Sequence, residues 1–285
     1  MSYESSGHSA VIAQIQRQIN INNIARAMGP VYKDGSLLFA TQDSPTPFAK
    51  SLIAVSKDDI PHQSGQSPVV AELGSGNGRD ALYFVRNGYR VIAYELNPAA
   101  RARALSRFRG LRLEERLIQR EDFHDVADCP DHSLDLVHAV SSLHYFNPTQ
   151  LLDILKLYTK RIKPNGKIGI ALKTPQSSWP TEFHENGRRP DITYDLSNLN
   201  VLLDGEHPIV IGYQFPIDST KDGRSWHVLN RMFYNEGQLR ALLRMAGYAI
   251  IHSQTVPVSD YDRQGKTEHF AWVVGTPLSN KVDKI

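Results

Sequence analysis

A single cysteine, Cys129, is all the thiol that this 285-residue chain contains. No intrachain disulfide can form from it and no site of several thiolates can be built, so a disulfide framework and a zinc-finger-like module are excluded and no metal centre is expected. A reducing compartment, the cytoplasm, is the expected location. Long apolar runs are missing too. None approaches the ~18 residues of a membrane-spanning helix, and residues 1–10 are polar, without the apolar middle of a secretory signal. Excess charge of one sign is also lacking, with 32 Lys and Arg against 30 Asp and Glu and a formal net charge of +2. That balance disfavours nucleic acid as the partner, and no internal repeat is visible.

What is present is an ordinary globular composition, 41% hydrophobic and 22% charged. From Val69 onward it is arranged in the alternation of short apolar runs and helical stripes that signals parallel strands with crossover helices. The patterning predicts strands at 69–73, 90–95, 116–120, 134–140 and 167–172, with helices at 79–86, from 98 through 105, and from Pro148 to Ile162. Lys163, Pro164, Asn165 and Gly166 read as a turn. Before this region, Ser9 and the stripe Ile12, Ile15, Ile19, Ile24, Met28 suggest one helix, and Thr46 followed by Pro47 caps a second. After it, residues 174–229 break the rhythm, with one plausible strand at 209–215. A helix at 236–246 and strands at 248–256 and 268–274 then follow, joined by a hairpin link at 260–265 that makes the last strand antiparallel.

The most informative stretch runs from Val69 to Asp80. An apolar strand ends in Glu72 and Leu73, and then Gly74, Gly76 and Gly78 alternate with Ser75 and Asn77. Glycines at a strand-to-helix turn remove side chains from the path of a ligand. Dinucleotides and S-adenosylmethionine both use such a turn. The dinucleotide spacing G-x-G-x-x-G puts Arg79 at the third glycine counted from Gly74, and Ala81, a permitted variant, counted from Gly76, so spacing weighs only weakly between the two. Charge weighs more. An acid directly before the turn repels a pyrophosphate and attracts the ammonium group of a methionine moiety. Glu95, at the end of the second strand, is placed to accept both ribose hydroxyls, with Leu96 beside it to pack on adenine. Asp122 offers an acceptor for the adenine amino group, and Phe123 a neighbouring apolar wall.

On these residues the sequence resembles the class I S-adenosylmethionine-dependent methyltransferases, over residues 69–173 and about the last fifty. The resemblance implies an α/β, Rossmann-like doubly wound sheet of seven strands, six parallel and the last antiparallel. It implies that residues 72–78 form the cofactor loop, with Glu95 the ribose ligand and Asp122 the adenine ligand, and that the segment from Val140 to Tyr145 is the active-site loop. Within the family, residues 76–83 and 87–89 are most similar to the tellurite-resistance and thiopurine-type small-molecule methyltransferases.

Methyl transfer is an in-line displacement at a sulfonium methyl, so the protein must chiefly align a nucleophile and exclude water. His144 is the candidate to take a proton from a hydroxyl or thiol acceptor, and Tyr145 the candidate wall or hydrogen-bond donor. His184, Arg188, Arg189, Trp226 and His227 in the inserted segment, and Arg231 and Tyr234 after it, are weaker candidates, while Asp135 reads as a support of its strand. Residues 140–143, Val-Ser-Ser-Leu, lack the Pro-Pro-aromatic pattern of amino-methylating enzymes, and Cys129-Pro130 lies before the fourth strand, in the reverse order to the thiolate pair of cytosine methylation. The arginine row from Arg101 to Arg120 is interrupted by Glu114 and Glu115 and reads as a solvated face. The resulting expectation is a methyltransferase for a small-molecule acceptor. RNA or protein methylation and a non-catalytic S-adenosylmethionine-binding module are the alternatives. The expected organisation is a helical cap and linker at 1–68, a cofactor-binding core at 69–173, an inserted lid at 174–229 and a completion of the core at 230–285.

Overall fold

Thr46, whose side chain accepts the amide of Ala49, starts helix α1 (Pro47–Ser56) with proline in its first turn. This cap lies at the start of what the computed structural model describes: residues 44–60, 66–177, 209–216, 226–258 and 267–278, with side chains throughout except at 209–216 and 226–231. The expected helix at 12–28 and the hairpin link at 260–265 lie outside the described residues.

The regular alternation then follows. Strand β1 (Val69–Leu73) leads to α2 (Arg79–Arg86), β2 (Arg90–Tyr94), α3 (Pro98–Gly110), β3 (Leu117–Arg120), β4 (Leu134–Val140), α4 (Pro148–Arg161) and β5 (Ile162–Lys173). The hairpin strands β6 (Ile209–Pro216) and β7 (Trp226–Phe233), α5 (Glu236–Met245), β8 (Tyr248–Val258) and β9 (Glu268–Pro277) complete the order. Seven strands form one sheet in the order β3-β2-β1-β4-β5-β9-β8. Strands β1 to β5 run parallel, and β9 is antiparallel to both β5 and β8, so β8 points with the other five. This is the expected Rossmann-like sheet with its antiparallel last strand. Chain direction across the sheet reverses between β1 and β4, which opens a crevice at their carboxyl ends.

Each face carries its own core. Leu151, Ile154, Leu155 and Tyr158 of α4 and Leu239, Leu242 and Leu243 of α5 pack with Val137, Ala139, Ile168 and Ile170. On the other face, Phe48 and Leu52 of α1 and Leu82, Phe84 and Val85 of α2 pack with Val70, Val91 and Leu136. Phe48 and Leu52 are buried, and each contributes about 1.5–3 kcal/mol by leaving water. Helix α1 sits so near β5 that a β-carbon on Gly169 would come within 2.9 Å of Leu52 Cδ1. A larger side chain at 169 would therefore push α1 off the sheet.

Three elements differ from the sequence expectation. The turn expected at 163–166 is an outward bulge inside β5, because Leu134 pairs with Ile162 and Leu136 with Lys167. Helix α3 continues to Gly110 because Ala100, Ala104 and Phe108 repeat at helical spacing and are buried. Strand β7 was not expected at all. It pairs with β6 as a separate two-stranded sheet, where residues 226–229 read only as loop. No helix among the described residues is long and apolar enough to cross a membrane.

Candidate functional site

The turn after β1 is hooked to the end of β2. Gly74 and Ser75 both donate their amides to the Tyr94 carbonyl, at 2.8 and 3.0 Å. One residue later, Glu95 faces the turn, and its two carboxylate oxygens accept the amides of Gly76 at 2.9 Å and Asn97 at 2.8 Å. Strand β2 ends at Tyr94; the amide of Glu95 still donates to the Arg120 carbonyl of β3 at 3.0 Å, while its carboxylate serves the loop. Arg101 donates to the carbonyls of Glu95 and Leu96 at 2.7 and 3.1 Å and to Glu121 at 2.6 Å. This member of the arginine row is a brace of the site and not part of a solvated face.

All three glycines have left-handed φ, +73° at Gly74, +54° at Gly76 and +74° at Gly78, a region that side chains with a β-carbon resist. Two of them are also required by neighbouring protein. A β-carbon on Gly74 would lie 2.4 Å from Ser142 Cβ, and one on Gly78 would lie 2.9 Å from Ala104 Cβ. The close approach is thus between β1 and the turn after β4, and between the loop and α3, before any ligand is considered.

The residues lining this turn suit a ligand that is charged at one end. Glu72 is 4% exposed, and one of its oxygens, Oε2, meets no hydrogen-bond donor among the described residues. Burial, then the charge of Asp80, raises its pKa well above that of an ordinary carboxyl, which Arg79 only partly counters. The hydroxyls of Ser75, Ser141 and Ser142 are likewise buried without a partner among the described residues. Ser141 is held at φ +52°, a backbone strain that clusters at functional sites. A carboxylate and three hydroxyls left unsatisfied beside one turn would each cost stability if nothing met them. They fit the ammonium and carboxylate of an amino-acid ligand.

The other expected residues take varied places. Glu95 is buried, and burial raises its pKa while the amides of Asn97 and Gly76 lower it. Leu96 is half-buried at the same corner. Asp122 caps the short 3-10 turn Phe123–Asp128, accepting the amide of His124 at 3.0 Å and facing His124 Nδ1 at 2.8 Å. Its neighbour Phe123 turns into the core against Phe146, with ring centres 5.8 Å apart. Val140 is half-exposed at the tip of β4. His144 is 3% exposed at the base of the Leu143–Tyr145 turn, its ring 4.2 Å from that of Tyr145, and Tyr145 is the more open of the two. Tyr234 is buried and donates to the Phe146 carbonyl at 2.9 Å, which makes it an anchor for that turn. Asp135 supports the fold, accepting the Val69 amide and Lys163 Nζ, each at 2.8 Å. His184, Arg188 and Arg189 lie outside the described residues, and for Trp226, His227 and Arg231 only the backbone is described.

Three residues at the site were not singled out from the sequence. His138 lies opposite Glu72 in the β1–β4 register, Asp80 is in the first turn of α2, and Thr46 donates to Asp80 from both its amide and its hydroxyl, at 2.7 Å each. His138 and Asp80 could have been flagged, as a polar residue inside the run Leu-Asp-Leu-Val-His-Ala-Val and an acid just beyond the glycines. Thr46 has no signal beyond its cap, because its partner is 34 residues away.

Comparison with known proteins places this geometry. Residues 70–166, from β1 into β5, match the family model described as methyltransferase domain. Among solved structures, the chain is similar to an S-adenosylmethionine-dependent methyltransferase of Methanosarcina mazei, at 15% identity and TM-score 0.57, covering 82% of this chain and 99% of that one. It is similar also to the 1,6-didemethyltoxoflavin-N1-methyltransferase of Burkholderia thailandensis, solved with 1,6-didemethyltoxoflavin and S-adenosylhomocysteine bound, at 18% identity and TM-score 0.57, covering 92% and 90%. A third likeness is to an S-adenosylmethionine-dependent methyltransferase of Clostridium acetobutylicum, at 14% identity and TM-score 0.52, covering 81% and 91%. At these identities the likeness is one of fold. A sequence search of curated proteins returns no significant match.

Proposed function

We propose that this chain, whose residues 70–166 match the methyltransferase-domain family model, is a class I S-adenosylmethionine-dependent methyltransferase that passes the methyl group of its cofactor to a small-molecule acceptor. S-adenosylmethionine, when bound, supplies an electrophilic methyl on sulfur. The protein's own residues bind, orient and exclude water. Glu72 with Ser75, Ser141 and Ser142 would meet the amino-acid end, Glu95 and Leu96 the ribose and the adenine edge, and Asp122 the adenine amino group. Gly74, Gly76 and Gly78 keep the turn that brings these groups together. Val140 would close one apolar side.

The observation that carries the small-molecule reading is the seat of the inserted hairpin. Strand β7 packs on the Leu143–Tyr145 turn, and Met232 near its end and Tyr234 just after it join the core beneath. The hairpin of β6 and β7 thus reads as a cover over the acceptor side and not as an open flat surface for a macromolecule. The Burkholderia thailandensis enzyme, matched along nine-tenths of both chains, is a 1,6-didemethyltoxoflavin-N1-methyltransferase with that compound bound, which supports the same reading. Tyr145, half-exposed on that turn, is the proposed contact to the acceptor. His144, buried beneath it, would act on a proton only through movement of the turn. The single cysteine supports the cytoplasm as the location.

The test is a screen of small-molecule fractions from cell extract, reading S-adenosylhomocysteine formation. Turnover with a low-molecular-mass fraction supports the reading. Turnover only with protein or RNA fractions overturns it.

A further inference from the structure

Behind the cofactor turn lies a row of three buried titratable groups that methyl transfer itself does not require. Glu72 on β1 and Asp80 on α2 flank the ring of His138 on β4, and the three are 4%, 5% and 1% exposed. His138 Nδ1 stands 3.8 Å from Glu72 Oε1, and Nε2 stands 3.7 Å from Asp80 Oδ2. Neither ring nitrogen has a hydrogen-bond partner among the described residues. Phe48 stacks on one face of the ring at 5.8 Å, and Phe84 meets it edge-on at 5.0 Å.

These groups offer ligand atoms within 4.8 Å of one another, but the two acids approach opposite nitrogens, so the ring bridges them instead of joining them around one centre. A neutral imidazole has one N–H and one lone pair. Only one carboxylate can be served by the N–H; the other must carry a proton of its own to meet the lone pair. Asp80 is the one equipped to stay charged, because it accepts two hydrogen bonds from Thr46 and has Arg79 Nε at 3.3 Å. Glu72 takes a backbone hydrogen bond from the Ala81 amide and has no charged donor of this kind among the described residues.

We propose that His138 is a positioning residue that holds one proton on Glu72 in the cofactor-free enzyme, and that this proton leaves for solvent when the ammonium group of the cofactor arrives. The inference rests on the reading of Glu72 as the contact for the amino-acid end. The balance is simple: the Glu72 carboxyl loses H⁺ and becomes a carboxylate, Asp80 stays a carboxylate, His138 stays neutral, and nothing is oxidised or reduced. The groups that face Glu72 agree with this assignment. Burial first, then Asp80 and Glu95, raise its pKa, and Arg79 and the Ala81 amide oppose them. Among the described residues, the face from α1 adds Thr46 and Phe48, which carry no charge. His138 is unsuited to keep the proton, since burial between two phenylalanines lowers its pKa to about 4.

The experiment is calorimetric titration of the full chain with S-adenosylhomocysteine, which carries the ammonium group but no sulfonium, in buffers of different ionisation enthalpy between about pH 5 and 8. The expected result is release of about one proton per ligand on the acid side of the Glu72 midpoint, with affinity falling about tenfold for each pH unit below it. Tight binding with no proton release at any pH in that range overturns the proposal. Glu72→Gln is expected to bind more weakly and release none. If it binds as the wild type does, the contact between Glu72 and the cofactor is wrong, a failure distinct from absent proton release in a wild type that Glu72→Gln still weakens. His138→Phe keeps a ring between Phe48 and Phe84 but has no lone pair to receive the proton, so it should move the pH midpoint of binding down by about one unit. A lower melting temperature with an unmoved midpoint would show a merely structural role and overturn the proposal.

Discussion

The α-carbon of Gly74 lies so near Ser142 that a β-carbon on it would sit 2.4 Å from Ser142 Cβ, so the glycine turn and the turn after β4 interlock across the crevice. Gly74→Ala meets both that overlap and a φ of +73°. It is expected to cost about 2–4 kcal/mol of stability and to weaken S-adenosylhomocysteine binding. The double variant Gly74→Ala with Ser142→Gly should recover part of the loss. A thermal melt of the two single variants and the double one measures the coupling, and strict additivity would refute the interlock.

Glu95 holds the turn from the other side, through two backbone amides at 2.9 and 2.8 Å. Glu95→Gln replaces one acceptor with an NH₂ that faces a donor. With charged hydrogen bonds worth about 1.5–3 kcal/mol, cofactor affinity should fall by roughly ten- to a hundredfold, with a smaller change in melting temperature. Titration of the purified variant with S-adenosylhomocysteine reads this directly.

Lys173 at the end of β5 and Glu268 at the start of β9 form an ion pair of 2.9 Å, with side chains 7% and 4% exposed. Removing one partner leaves the other charge buried, so Lys173→Met alone should cost about 3–5 kcal/mol. Lys173→Met with Glu268→Met should be closer to wild type than either single change. Urea denaturation of the three variants decides it; equal losses in the single and double variants would refute it.

His138 links stability to pH. Burial lowers its pKa to about 4 in the folded protein, against 6.5 as the ordinary value, so the unfolded chain binds the extra proton first. Its contribution is complete above about pH 6.5 and is lost as pH falls through about 4. The stability difference between wild type and His138→Phe should therefore shrink by about 3 kcal/mol from pH 7 to pH 4. Glu72, whose pKa is raised, acts in the opposite sense, its contribution being lost as pH rises through its folded pKa. Comparing Glu72→Gln over the same range separates the two.

Much of this was legible in advance where the relevant physics is local. Strands 69–73 and 134–140 and helix 79–86 match the structure to the residue because apolar periodicity and the glycine turn bound them. Glu95 stands out from its place after β2, and the structure puts its carboxylate on the amides of Gly76 and Asn97. The bulge at 163–166 was missed as a bulge because a Pro-Asn-Gly sequence marks a reversal but not the strand that continues past it. Strand β7 was missed because its extended shape rests on pairing with β6, which residues 226–229 do not signal on their own.

By itself the sequence determined the sheet class and pointed to the methyl donor and to the glycine turn proposed to receive it, because strand periodicity, φ-permissive glycines and the charge of Glu72 are properties of neighbouring residues. Only the tertiary structure decided why Gly74 and Gly78 are glycines, since Ser142 and Ala104 come from distant elements. It alone brought His138 between Glu72 and Asp80 and placed Thr46 on Asp80. Hydrogen bonds and buried charges answer to whatever the fold brings within about 4 Å, and separation along the chain carries no record of that.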